Sequence, residues 1–185
     1  MELLDPAAAA RIILDGGVVA APTEAVYGLS CDPWNEAAVE RLVALKQRAM
    51  GKGLILVAGG LYQFTSLVQH LDRDQQDTLA SRWPGPYTWL VPTPPGLPEW
   101  ITGGQATLAL RVTAHPVMAE LCRQAGKPLT STSANLSGQP PAITPAEVAD
   151  TFPDIDGIVA GDLGGATKPT EIRNLETGEI VRSGT

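Results

Sequence analysis

Histidine and cysteine are scarce in this chain, two of each in 185 residues. Cys31 and Cys122 show no metal-ligand spacing, and neither His70 nor His115 lies near a Cys, Asp or Glu set that could complete a metal site. No metal centre is therefore expected, and both thiols are read as reduced, buried packing in a cytoplasmic chain. No apolar run approaches the roughly 20 residues that span a bilayer, so no membrane segment is expected. The amino terminus, Met1-Glu2-Leu3-Leu4-Asp5, has no basic region ahead of an apolar one, which argues against a secretory signal. Basic residues are the minority, 13 against 20 acidic, for a net charge of -7. A broad, sequence-blind grip on nucleic acid needs exposed Lys and Arg and is disfavoured, whereas a small anion pocket is not. Nucleotide signatures are missing too: neither G-x-x-x-x-G-K-[ST] nor G-x-G-x-x-G occurs, and no G-x-S-x-G elbow surrounds Ser131 or Ser133.

What is present is the profile of a globular protein, 44% apolar and 18% charged, long enough for one domain over residues 1–185 to bury its own core. Asp5-Pro6 caps a first helix that Gly16-Gly17 stops, and Asn35 caps a second. Residues 61–69, 72–83 and 115–125 read as further helices, and Thr144-Pro145-Ala146-Glu147 opens another through a capping box. Strands are expected at 18–22, 54–58, 87–92, 107–112, 129–134 and 158–159, with a hairpin of 171–175 and 179–182. Trp83-Pro84-Gly85-Pro86 forces a break, and 93–104 reads as a Pro/Gly-rich loop. Helices and strands alternate loosely, and late strands follow one another. The class is thus α/β (α+β), a single-domain twisted mixed sheet with flanking helices.

Four segments carry candidate chemistry. Pro22-Thr23-Glu24-Ala25-Val26-Tyr27-Gly28-Leu29 follows a strand, where polar groups either face a ligand crevice or satisfy a local turn. Lys46, Arg48 and Lys52 fall within seven residues; they complement a helix C-terminus as surface charge or serve a triphosphate. Arg111 ends the apolar run Thr107-Leu108-Ala109-Leu110 and needs either a carboxylate partner or an anionic ligand. In Thr130-Ser131-Thr132-Ser133-Ala134-Asn135-Leu136-Ser137-Gly138, strand alternation would send Ser131 and Ser133 to one face and Thr130 and Thr132 to the other. So many hydroxyls pack a core only if each finds a partner, which favours a polar ligand site. His115, just before Pro116, reads as a structural helix start.

Taken in order, these segments with Ser-Arg-Trp-Pro-Gly-Pro at 81–86 and Ala-Leu-Arg-Val at 109–112 resemble the YrdC/TsaC family, its short bacterial members above all. The resemblance runs from Pro22 to Arg182. It implies a YrdC-like fold with a deep basic cavity, and formation of threonylcarbamoyl-AMP and diphosphate from L-threonine, bicarbonate or CO2, and ATP. Also implied are Mg arriving with ATP, service to adenosine 37 of certain tRNAs with direct tRNA contact left open, and downstream transfer proteins TsaB, TsaD and TsaE. Carried over by position, it implies threonine contacts from Thr23, Arg111, Ser131 and Thr170. ATP contacts would come from Lys46, Arg48, Lys52, Thr107, Ser133, Asn135, Pro141 and Arg182, with no side-chain nucleophile. Ala25, Ala49 and Ser183 depart from the family pattern, where a second threonine, a proline and a proline are common. Two other readings share the fold: a non-catalytic RNA-binding module in rRNA maturation, and a carbamoyl-adenylate former like the YrdC-like domains of hydrogenase maturation proteins. The first would need a basic, aromatic-studded surface.

Overall fold

The structure is a computed structural model that describes residues 2–47, 51 and 53–184. Arg48, Ala49 and Lys52, which the sequence analysis singles out, lie outside the described residues. Helix starts follow their caps. In α1 (Pro6–Leu14) the Asp5 carboxylate accepts from Ala8 N at 2.7 Å, and in α2 (Glu36–Leu45) the Asn35 side chain accepts from Ala38 N at 3.2 Å. The expected helix at 61–69 is a 3₁₀ turn (Leu61–Phe64) running into one α-turn, α3 (Thr65–Val68). A full capping box between Asp72 and Gln75 opens α4 (Arg73–Arg82). A short α5 (Glu99–Thr102) interrupts the expected loop, and α6 (Pro116–Ala125) and α7 (Pro145–Thr151) stand where their caps place them.

The mixed α/β class holds, and the strands divide between two mixed sheets. One contains, in spatial order, β1 (Leu3–Leu4), β9 (Gly157–Val159), β2 (Val19–Pro22), β3 (Tyr27–Ser30) and β8 (Thr132–Ser133). The other runs β11 (Ile180–Arg182), β10 (Glu171–Asn174), β5 (Tyr87–Pro92), β6 (Thr107–Val112), β4 (Ile55–Ala58) and β7 (Leu129–Thr130). Sequence patterning missed β1, which is two residues long, and β3, whose Tyr-Gly-Leu-Ser is short and holds a glycine, a weak strand signal. β3 pairs antiparallel with β2, so Thr23–Val26 forms a hairpin turn.

Residue alternation explains why the central strands are apolar throughout. Val19 and Ala21 of β2 and Val57 of β4 pack against α1 and α6, with Ile13, Met118 and Leu121. Ala20, Leu56 and Ala58 face the opposite core, with Leu29, Leu42 and Phe64. Both faces of these strands are covered, so the two-residue period carries no polar half.

The expected strand over 129–134 is broken at its third residue. Leu129–Thr130 pairs with β4 in one sheet, and Thr132–Ser133 pairs with β3 in the other. Ser131 is the crossing point, its N–H donating to Ile55 O at 2.9 Å. One residue earlier, Thr130 N donates to Cys31 O and Cys31 N donates to Thr130 Oγ1, which ties the sheets together beside the crossing.

Candidate active site

A cavity of about 660 Å³ opens at this crossing. The β2–β3 turn supplies Thr23, Ala25 and Val26; β3 supplies Gly28; the crossing segment supplies Ser131, Thr132 and Ser133. Thr107 and Arg111 come from β6, Pro141 from the segment before α7, and Thr170 and Arg182 from the carboxy-terminal hairpin. All four residues expected at threonine therefore share one cavity with Thr107, Ser133, Pro141 and Arg182 from the expected ATP set. The volume suits a small-molecule site.

Lys46 and Asn135 stand one layer behind. The Lys46 ammonium is 4% exposed and donates to Ser133 O, and to Asn135 O and Oδ1, each at 3.0 Å. Asn135 Oδ1 also accepts from Ser133 Oγ at 2.6 Å, while its amide donates to Leu136 O and Gln139 O. The pair thus fixes the loop that presents Ser133.

The electrostatics of the cavity rest on two arginines: among its described lining residues only Arg111 and Arg182 are charged. Arg111 is 5% exposed, and of the two partners the sequence left open the structure shows a protein carboxylate. Its Nη1 lies 3.0 Å from Glu24 Oε2, yet Arg111 also lines the cavity and its buried Nε has no hydrogen-bond partner. Burial pulls the guanidinium pKa down, with Glu24 and then the Cys122 thiol opposing. Arg182 donates Nε and Nη2 to Thr170 O at 3.0 and 2.8 Å. Desolvation lowers its pKa too, and the positive charge of Arg111 lowers it further, so the two cations share one field that an anion would relieve.

Glu24, in the segment the sequence left open between a ligand crevice and a local turn, proves to be the partner of Arg111. Its Oε1 accepts from Thr113 Oγ1 at 2.6 Å, and Thr113 Oγ1 in turn accepts from His115 N at 3.0 Å. His115 caps α6 through Nδ1, which accepts from Met118 N; that leaves Nε2–H to donate to Asp162 O at 3.0 Å. The structural reading of His115 stands. Thr23 Oγ1 donates to Val26 O at 2.7 Å, so on the cavity side its oxygen can act only as an acceptor. Gly28 is bare because a Cβ there would sit 3.3 Å from both Ser131 Oγ and Thr23 Cγ2. Among the described residues no group of three or more His, Cys, Asp or Glu could hold a metal ion, and no helix is long and apolar enough to cross a membrane.

Comparison with known proteins gives a consistent result. The family model for Sua5, YciO and YrdC, described as telomere recombination, matches residues 11–184. The threonylcarbamoyl-AMP synthase of Pseudomonas aeruginosa is 53% identical over 175 residues, covering 94% of this chain and 94% of that protein. The Pseudomonas putida enzyme of the same name is 54% identical over 177 residues, 95% of each. Among solved structures, P. abyssi Sua5 complexed with L-threonine superposes with a TM-score of 0.89 at 30% identity over 97% of this chain, which spans 54% of the Sua5 chain. E. coli YciO gives a TM-score of 0.84 at 27% identity, covering 97% of this chain and 89% of its own.

Proposed function

This chain belongs to the Sua5/YciO/YrdC family, and we propose that it is an L-threonylcarbamoyladenylate synthase, a nucleotidyltransferase that makes threonylcarbamoyl-AMP for tRNA modification. The observation that carries the reading is identity of 53–54% to enzymes of that name over 94–95% of both chains. The cavity supports it chemically. Two arginines and several hydroxyls face one space with no described carboxylate among its lining, as suits two anionic substrates.

In this reading the amine of threonine takes up bicarbonate as an N-carboxylate, releasing water. One oxygen of that carboxylate then forms a bond to the α-phosphorus of ATP, and the bond from that phosphorus to the bridging oxygen breaks to release diphosphate. The attacking group is already anionic, so the protein needs no nucleophile of its own. Its work is to hold the reactants in line and to offset the gathered negative charge. Thr23, Arg111, Ser131 and Thr170 hold threonine. Thr107, Ser133, Pro141 and Arg182 border ATP, with Lys46 and Asn135 supporting Ser133 from behind; Arg48 and Lys52 belong to the same basic set. The threonine-bound Sua5 structure supports an amino-acid site in this fold. The described lining offers hydroxyls and amides but no carboxylate for magnesium, so the ion enters with the triphosphate as part of the substrate. The product passes, in the cytoplasm, to the transfer proteins TsaB, TsaD and TsaE.

Diphosphate release by the purified chain should require ATP, threonine and bicarbonate together. Equal release with threonine omitted would overturn the assignment.

A further inference from the structure

We infer that Glu24 is a positioning residue for substrate recognition: it holds Arg111 by one nitrogen so that the other edge of the guanidinium is presented to the carboxylate of the amino-acid substrate. The inference rests on the threonine-using reading above and adds a residue to it.

Geometry supports the role from both sides of the pair. Glu24 Oε2 lies 3.0 Å from Nη1 as an ion pair rather than a hydrogen bond, so both Glu24 Oε2 and the buried Arg111 Nε are without a hydrogen-bond partner. Nε and Nη2 form one side of the planar guanidinium, the side that meets a carboxylate through two parallel hydrogen bonds. A buried donor without an acceptor is costly unless a ligand completes it. Arg111 lines the cavity, so a ligand carboxylate can approach its side chain there.

Glu24 is itself held in place. Thr113 Oγ1 donates to its Oε1 at 2.6 Å, and the Glu24 carbonyl accepts from Ala166 N at 2.9 Å. Gly164 packs so closely that a Cβ on it would sit 2.9 Å from Glu24 Cα. Glu24 also neutralises Arg111 in the free protein. An anionic substrate then depends on Arg182 as well, whose pKa already registers the charge of Arg111. Without Glu24 the guanidinium would be free to turn toward the cavity in several orientations, retaining its charge but losing the paired geometry.

The test compares L-threonine with L-threoninamide, which keeps the amine and the hydroxyl but has no carboxylate, by calorimetric titration of the purified chain. Wild type should prefer threonine, and Glu24→Gln should shrink that preference by about tenfold, as loss of an oriented charge-assisted pair predicts. In turnover, the threonine KM should rise while the ATP KM holds. The preference is a ratio, so a variant that is partly unfolded still reports it. If Glu24→Gln yields no folded protein, Thr113→Val, which removes the hydroxyl steadying Oε1, should shift the ratio in the same direction by a smaller factor. An unchanged preference in the variant overturns the role of Glu24 and leaves the enzyme assignment standing. A wild-type protein with no preference for threonine over its amide overturns both.

Discussion

Arg111 sets the strongest expectation for any single side chain. Lysine at that position would keep the charge, but it offers a single point of contact where the guanidinium can meet Glu24 with one nitrogen and a ligand with two others. Arg111→Lys should raise the threonine KM at least about tenfold, roughly 1.4 kcal/mol, with a smaller change in the ATP KM. Steady-state kinetics and a melting curve decide it: an unaltered threonine KM beside a large loss of Tm would make Arg111 a structural ion-pair partner alone. Gly28 offers a steric counterpart. An added methyl 3.3 Å from both Ser131 Oγ and Thr23 Cγ2 asks each to yield by a few tenths of an ångström. Gly28→Ala should therefore raise the threonine KM while leaving Tm within a few degrees; wild-type kinetics would show that threonine does not sit against this floor.

Among the elements, the end of α2 and the crossing segment behave as one unit. Lys46 ties them: its ammonium serves three acceptors on 133–135, and its carbonyl accepts from Ser137 N at 3.2 Å. Removing a buried cation from those acceptors should cost on the order of 2 kcal/mol of stability. Lys46→Ala is expected to lower Tm and raise the ATP KM together, because Ser133 loses its support. A raised ATP KM with wild-type Tm would instead place the lysine on the nucleotide directly. The crossing also accounts for the hydroxyl-rich sequence of 130–133. Thr130 is buried at the link to Cys31, whereas Ser131 and Ser133 both reach the cavity, and so does Thr132. Strand alternation would have put Ser and Thr on opposite faces; the change of sheet at Ser131 removes that regularity.

Across the whole molecule, the two thiols lie in separate cores, Cys31 with one cluster and Cys122 with the other. Burial pushes both up to about 12 from an ordinary 9.0. A thiol-specific reagent at pH 8 should label neither in the native protein and both after denaturation; stoichiometric labelling of the folded chain would refute their burial. The sign of the linkage follows: unfolded thiols ionise first, so their contribution is fully present below about pH 9 and is lost as pH rises toward about 12. Over that range the Tm of the wild type should fall more steeply than that of a Cys31→Ala, Cys122→Ala double variant. Parallel slopes would remove the thiols from the alkaline transition.

Sequence alone determined the helix starts and the apolar central strands, and the family resemblance pointed to a minority of the residues that line the cavity. Asp5, Asn35, Asp72 and His115 act on backbone groups three residues away, and a strand covered on both faces is legible as an uninterrupted apolar run. The family resemblance implied substrate contacts for Thr23, Arg111, Ser131, Thr170 and Arg182, and these five line one cavity. Tertiary structure alone decided the rest. It divided the strands between two sheets, made Tyr27–Ser30 a strand, moved Lys46 and Asn135 behind Ser133, and paired Glu24 with Arg111. The physical reason is range: caps and periodicity act within a turn or along one strand, whereas Lys46 with Asn135, Glu24 with Arg111 and β3 with β8 join segments that are far apart in sequence and meet only when both cores close.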